Sequence, residues 1–243
     1  MKAVVMAGGM ATRLRPLTTA INKHMLPVYD RPMIQRNIET IVASGITEIL
    51  VLLNNHFALP VMQQLEDGSA LGAKITYGYK LSVVSVGKHL EMARDFAGDE
   101  SFMLYLGDSF YTCSLDIEQV EEVPHMWVMP LGKDDDFRKY AEVELSADES
   151  KIIGIIEKPE QQKTGIVQTG AWVFPPDVFD LAARLAKMTV GEVQVRTIVA
   201  EYVHRGVMHA SVIPQGSFLD LGTPEALFRA QQIAREEVLN HKD

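Results

Sequence analysis

One cysteine, Cys113, stands in a chain of 243 residues. An intrachain disulfide framework is thereby excluded, and a reducing compartment is the expected setting. Long apolar runs are missing as well: nothing approaches the roughly 18 residues that span a bilayer. The opening KAVVMA is too short for the apolar segment of a secretory leader and carries no cleavage pattern, so a soluble cytoplasmic protein is expected. Basic charge is scarce. Lys and Arg number 23 against 32 Asp and Glu, for a net charge of −9. That balance argues against nucleic acid or an anionic membrane surface as a partner. Internal repeats, low-complexity tracts and Pro/Gly/Ser linkers are also absent, and one domain over 1–243 is the simplest organisation.

The remaining composition, 47% apolar and 23% charged, is that of an ordinary globular chain. KAVVM (Lys2 to Met6) is a short β-branched run ended by glycine, and it predicts a buried strand. PMIQRNIETIVASG carries Pro32 at a helix start, apolar residues at Met33, Ile34, Ile38, Ile41 and Val42, and Gly45 past the end. TEILVLL follows as a second buried strand. This strand, loop, helix, strand order implies a parallel sheet with a right-handed crossover. A helix near Phe57 to Leu65, the strand KITYGY, a helix near Gly87 to Phe96 and the strand SFMLYL extend the pattern to Gly107-Asp108.

Past Trp127 the texture becomes strand-rich, with MWVMP, YAEVELS, KIIGIIEKP and VQTGAWVF as antiparallel or mixed additions to the same sheet. Helices over Pro176 to Lys187 and Val193 to His204, the strand MHASVIP, a short FLDLGT and the helix PEALFRAQQIAREEVLNH complete the chain. The fold class is α/β, with a mixed central sheet flanked by helices. In such open sheets ligands sit outside the carboxyl ends of the strands, which is where Gly8 and Asp108 fall.

GGMATRLRPLT, directly after the first strand, concentrates glycine and positive charge, and Lys23 follows in NKHMLPVYDRP. The loop does not match G-x-G-x-x-G, no acidic residue ends the second strand near Leu53, and the G-K-[ST] of a P-loop is missing. It nonetheless has the physics of a phosphate site. Glycines let main-chain N–H groups approach an anion, Arg13 offers a planar fork and Lys23 a mobile point charge. The alternative is a plain turn with solvated basic residues. Asp108 and Asp220 are likewise open between turn or capping roles and metal ligation, and a pair of carboxylates at the sheet edge would suit Mg²⁺ together with substrate phosphates.

GGMATRLRPLT and KHMLPV resemble the signature of the sugar-phosphate nucleotidylyltransferases, G-G-x-G-T-R-L-x-P-x-T followed by K-x-x-L-P-V. LPVYDRPMI, LGDSF, IEKP and FLDLGT are similar to the glucose-1-phosphate thymidylyltransferases within that family, and the matches run from Lys2 to about Leu227. The resemblance implies a Rossmann-like nucleotidyltransferase (GT-A-like) fold. It implies that Gly8, Gly9, Thr12 and Arg13 cradle a nucleoside triphosphate, that Lys23 neutralises phosphate charge, and that Asp108 and Asp220 hold Mg²⁺. Glu157 and Glu192 would hold sugar hydroxyls, Lys158 the sugar phosphate, and Gly170 would line the sugar-phosphate pocket. The partners implied are a nucleoside triphosphate and a sugar-1-phosphate, with a homo-oligomer also compatible.

The pattern departs from the family at several places. Ala11 replaces the third signature glycine, a mild change only where that backbone does not need positive φ. GYKLSVVSVGKHLEMA stands where the family carries E-Q-P and G-L-A-Q-A, so Lys80 and Ser85 or Gly87 fall at the base-reading positions and nucleotide choice is open. Ala141 in YAEVE replaces a glycine beside the sugar, and the chain is shorter than relatives that carry regulatory C-terminal helices. Arg15 is open between a phosphate contact and a surface ion pair. Two other functions fit parts of the pattern: a catalytically inactive nucleotide- or sugar-phosphate-binding regulatory paralogue, and a cytidylyltransferase with a non-sugar phosphate or phosphonate acceptor.

Overall fold

A computed structural model describes residues 1–9, 11–54, 58–80, 86–118, 120, 123–133, 135–188 and 193–240. The chain opens with β1 (Lys2–Met6), short pairing strands β2 (Pro27–Val28) and β3 (Arg31–Pro32), helix α1 (Met33–Ala43), β4 (Glu48–Asn54) and α2 (Ala58–Leu65). It continues through β5 (Lys74–Lys80), α3 (Val86–Ala97), β6 (Phe102–Leu106), β7 (Ser109–Tyr111), β8 (His125–Pro130) and β9 (Ala141–Leu145). Then come β10 (Ile152–Glu157), β11 (Ile166–Phe174), α4 (Asp177–Met188), α5 (Val195–His204), β12 (His209–Val212), β13 (Phe218–Asp220) and α6 (Pro224–Asn240).

The central sheet runs β10-β9-β11-β6-β1-β4-β5, with β8 pairing β11 and β12. β1 is parallel to β4 and β6, and β4 to β5. β11 runs antiparallel to β6 and turns the sheet mixed, as the sequence texture past Trp127 suggested. The continuous apolar strands are explained by burial on both faces. Ala3, Val5, Ile49, Val51 and Leu53 join one core layer, while Val4, Leu50 and Leu52 point to the opposite layer. Alternate residues of a strand face opposite ways, so one run feeds two cores.

After β5 the chain crosses back to lay β6 on the far side of β1. β1 and β6 are thus parallel neighbours whose onward connections diverge, the place in such sheets where a ligand crevice is expected outside the carboxyl ends. Gly107 N–H donates to the Met6 carbonyl at 3.0 Å, which fixes the two ends side by side.

A third apolar cluster lies over that edge. Leu14, Leu26, Val28, Met33, Phe110, Leu219, Leu221 and Leu227 draw together the loop after β1, the start of α1, β7, β13 and α6. β7 and β13 pair antiparallel, with Asp220 opposite Ser109. β2, β3 and β7 went unread in the sequence because runs of two or three residues display no alternation.

Candidate functional site at the carboxyl edge of the sheet

Past β1, Gly8 is buried and Gly9 is exposed. The chain then winds through a short 3-10 turn over Thr12–Leu14. Leu14 is sunk in the third cluster, and burial of a leucine contributes about 2 kcal/mol to holding the turn in place. Thr12 and Arg13, beside it, face solvent. Thr18 Oγ donates to the Ala11 carbonyl at 2.9 Å and closes the loop on itself. Ala11 sits at φ 49, in the left-handed region, so the glycine-to-alanine replacement is not the mild change allowed for above. A side chain there costs about 1 kcal/mol relative to glycine. Arg15 is exposed and makes no ion pair among the described residues.

A second 3-10 turn, Lys23–Met25, is capped by the Asn22 side chain, which accepts from His24 N–H at 2.9 Å. The turn projects Lys23 onto the end of β6, where Lys23 Nζ lies 2.6 Å from Asp108 Oδ2. The two side chains are only 11% and 19% exposed, so water screens the pair poorly. Burial pushes the Asp108 carboxyl up, but the charge and hydrogen bond of Lys23 outweigh it and hold Asp108 below the usual carboxylate range. His24 is buried behind the pair and packs on Gly107, where an added Cβ would come within 2.7 Å of the imidazole. Burial, with Lys23 nearby, holds His24 neutral, its pKa pushed down to about 3.

Asp220, at the end of β13, joins this group through the backbone: Leu221 N–H donates to the Asp108 carbonyl at 2.8 Å. Asp220 Oδ1 accepts from Gly222 N–H at 2.8 Å, and Arg13 approaches Asp220 Oδ2 at 3.6 Å. Burial and the charge of Asp108 raise the Asp220 carboxyl above its usual value, with Arg13 opposing. Two carboxylates that feel each other this way form a donor set chemically suited to a divalent cation. Among the described residues no group of three or more His, Cys, Asp or Glu side chains is placed to hold a metal ion. Further ligands would have to be phosphate oxygens or water, which is the usual habit of Mg²⁺.

Arg13 lies against Gly222 so closely that any Cβ there would overlap its guanidinium. The Arg13 side chain is 63% exposed, and its pairing with Asp220 is correspondingly weak. Its fork is therefore free to turn toward an anion in the adjoining cleft. That cleft, about 410 Å³, is lined by Arg13, Asp220, Lys158, Tyr140, Lys139 and Arg229 among others. Lys158 follows β10 at φ 43 and donates its N–H to the Tyr140 carbonyl at 3.2 Å. Glu157 is exposed at the end of β10, directly across from Ala141 of β9.

Gly170 is buried in β11, donates its N–H to the Tyr111 hydroxyl at 3.0 Å and leaves no room for a Cβ against Ser109 Oγ. Its place is thus beneath β7. Lys80 ends β5 opposite Asn54. The Lys80 side chain, Ser85 and Glu192 lie outside the described residues. The structure therefore gathers Gly8, Gly9, Arg13, Lys23, Asp108, Asp220 and Lys158 at one edge, with Glu157 at its border.

Sequence reading missed two buried asparagines at this edge. Asn54 Nδ2 donates to the Gly8 carbonyl at 2.6 Å, and Asn37 Nδ2 to the Gly107 carbonyl at 2.7 Å. A signal was present for both. Asn37 interrupts the apolar stripe of α1 between Ile34 and Ile38, and Asn54 ends the apolar run from Ile49 to Leu53 in β4.

Parallel strands ending side by side at glycines, with cations and carboxylates over them, place the chain among open α/β proteins that take ligands at the carboxyl edge. More narrowly, the chain belongs to the nucleotidyl transferase family, whose model matches residues 2–237. A glucose-1-phosphate thymidylyltransferase of Mycolicibacterium smegmatis is 30% identical over 244 residues, 97% of this chain and 82% of the relative. The low-salt glycan biosynthesis nucleotidyltransferase Agl11 of Haloferax volcanii is 29% identical over 239 residues, 98% of this chain and 67% of the relative. Among solved structures, a Bacillus anthracis protein assigned as a glucose-1-phosphate thymidylyltransferase, in complex with sucrose, superposes with a TM-score of 0.83 at 28% identity. That superposition covers 97% of this chain and 95% of the other.

Proposed function

We propose that this nucleotidyltransferase joins a nucleoside triphosphate to a sugar-1-phosphate, giving a nucleotide-sugar and pyrophosphate, and that Asp108 and Asp220 are the residues that would hold Mg²⁺. The observation that carries this reading is the convergence of the Lys23–Asp108 pair with Asp220, Arg13 and the Lys158 cleft at one strand edge. The reaction forms a bond from an acceptor phosphate oxygen to the α-phosphorus and breaks the bond from that phosphorus to the bridging oxygen of the β-phosphate. The acceptor oxygen is already anionic, so no general base is required.

The work left to the chain is electrostatic and positional. Arg13 chelates triphosphate oxygens, and Lys23 neutralises charge around the α-phosphorus. Lys158 holds the acceptor phosphate in the cleft, and Glu157 accepts from a sugar hydroxyl. Mg²⁺, when bound, supplies further charge neutralisation at the phosphates. No helix of the described residues is long and apolar enough to cross a membrane. A single cysteine leaves no intrachain disulfide to form, which fits a reducing, cytoplasmic setting.

The relatives named glucose-1-phosphate thymidylyltransferase make dTTP with glucose 1-phosphate the first pair to try. Incubation with Mg²⁺ and each nucleoside triphosphate paired with a panel of sugar-1-phosphates, read by mass spectrometry, should yield a new nucleotide-sugar for at least one pair. Nucleotide binding without product across the panel would overturn the reading in favour of an inactive paralogue.

A further inference from the structure

The Gly8–Gly9 peptide has glycine on both sides, so no Cβ opposes its rotation and either face of the peptide could turn toward the crevice. In this structure one orientation is fixed. The Gly8 carbonyl accepts from Asn54 Nδ2 at 2.6 Å, and Asn54 is 5% exposed, so the carbonyl is directed into the protein. In a trans peptide the C=O and the following N–H point in opposite directions. The Gly9 N–H is therefore directed away from Asn54; Gly9 itself is exposed, and a Cβ there would stand 3.7 Å from Lys23 Nζ. Among the described residues the Gly9 N–H has no acceptor.

We infer that Asn54 is a positioning residue, which locks the Gly8–Gly9 peptide so that the Gly9 N–H faces the triphosphate. This rests on the proposed function and adds to it a residue distant from the signature motif in the sequence. The end of β6 has the same device. Asn37, 1% exposed, holds the Gly107 carbonyl inward at 2.7 Å, which directs the following Asp108 N–H the opposite way. Two buried amides thus set the peptides at both lips of the crevice. Loss of the Asn54 donor leaves the Gly8 carbonyl buried without a partner, and a peptide flip would then aim that carbonyl at the phosphates.

Gly8–Gly9 is the sole Gly–Gly peptide in the sequence. Labelling glycine with carbonyl ¹³C and amide ¹⁵N therefore gives one coupled ¹³C–¹⁵N signal, from that peptide alone. In the wild-type protein this signal should shift on addition of dTTP or another bound nucleoside triphosphate. Asn54→Leu and Asn54→Ser should weaken nucleotide affinity about tenfold, raising KM for the nucleotide while kcat and the acceptor KM move less. A role in folding alone would instead lower the active fraction and leave nucleotide KM unchanged. An unmoved Gly9 signal in wild-type protein that binds nucleotide, or unchanged affinity in folded Asn54 variants, overturns this inference alone. Absence of nucleotide binding by the wild type overturns the proposed function and the inference with it.

Discussion

Lys23 and Asp108, 85 positions apart, meet at 2.6 Å over the carboxyl ends of β1 and β6. The pair gives the site its electrostatic centre: one poorly screened cation beside a carboxylate that it keeps ionised. Asp108→Asn keeps the shape but removes the charge. Turnover should fall about 10²–10³-fold, the range seen when one stabilising group is removed from a charged transition state. Steady-state rates, with thermal melting as a check on the fold, test this.

Gly222 gives a test that leaves every charged group in place. A Cβ there would overlap the Arg13 guanidinium and stand 2.9 Å from Asp220 Oδ1. Gly222→Ala should push aside the mobile Arg13 guanidinium and crowd the Asp220 carboxylate that the Gly222 N–H holds, lowering kcat/KM through the misplaced carboxylate by about tenfold to a hundredfold. Circular dichroism and melting should stay near wild type. Unchanged kcat/KM would show that the present placement of Asp220 is not needed for activity.

Glu142 serves stability rather than the cleft. Its buried carboxylate accepts from Lys163 N–H at 2.8 Å and from Gly165 N–H at 3.1 Å, tying the segment before β11 to β9. Glu142→Ala should destabilise the protein by about 3 kcal/mol, in line with hydrogen bonds to a buried charge. Urea denaturation measures the loss directly.

His125 predicts a pH dependence of stability. Burial, assisted by His209, lowers its pKa from 6.5 to about 4. The folded state therefore refuses a proton that the unfolded chain accepts. The associated stability is complete above pH 6.5 and is lost as pH falls toward about 4, by on the order of 3 kcal/mol. His125→Gln should flatten the unfolding free energy across that window. The slope that persists belongs to other groups, His24 among them, whose burial shifts it the same way.

Much of the architecture was legible in the sequence because β-branched runs and capped apolar stripes declare themselves locally. β4 and α1 fall within a residue or two of their sequence boundaries. The strand-end placement of Gly8 and Asp108 followed from the parallel pattern alone. What stayed hidden depends on tertiary contact. The conformation of Ala11 is imposed by a loop closing through Thr18 and anchored by Leu14. Lys139 and Arg229 line the cleft from segments far apart in the chain, and no local pattern couples them. Asn37 and Asn54 were visible as polar interruptions, but their partners, the Gly107 and Gly8 carbonyls, were not.

Transfer of a nucleotidyl group between two phosphate-bearing substrates at this edge is tested most directly by pyrophosphate release. Pyrophosphate release should be followed with Mg²⁺, dTTP or another nucleoside triphosphate, and a sugar-1-phosphate, supplied singly and together, for the wild type and Arg13→Ala. Release is expected only when both substrates are present, and it should be nearly abolished in the variant. Release from the nucleotide alone, or equal rates in the two proteins, would contradict this expectation.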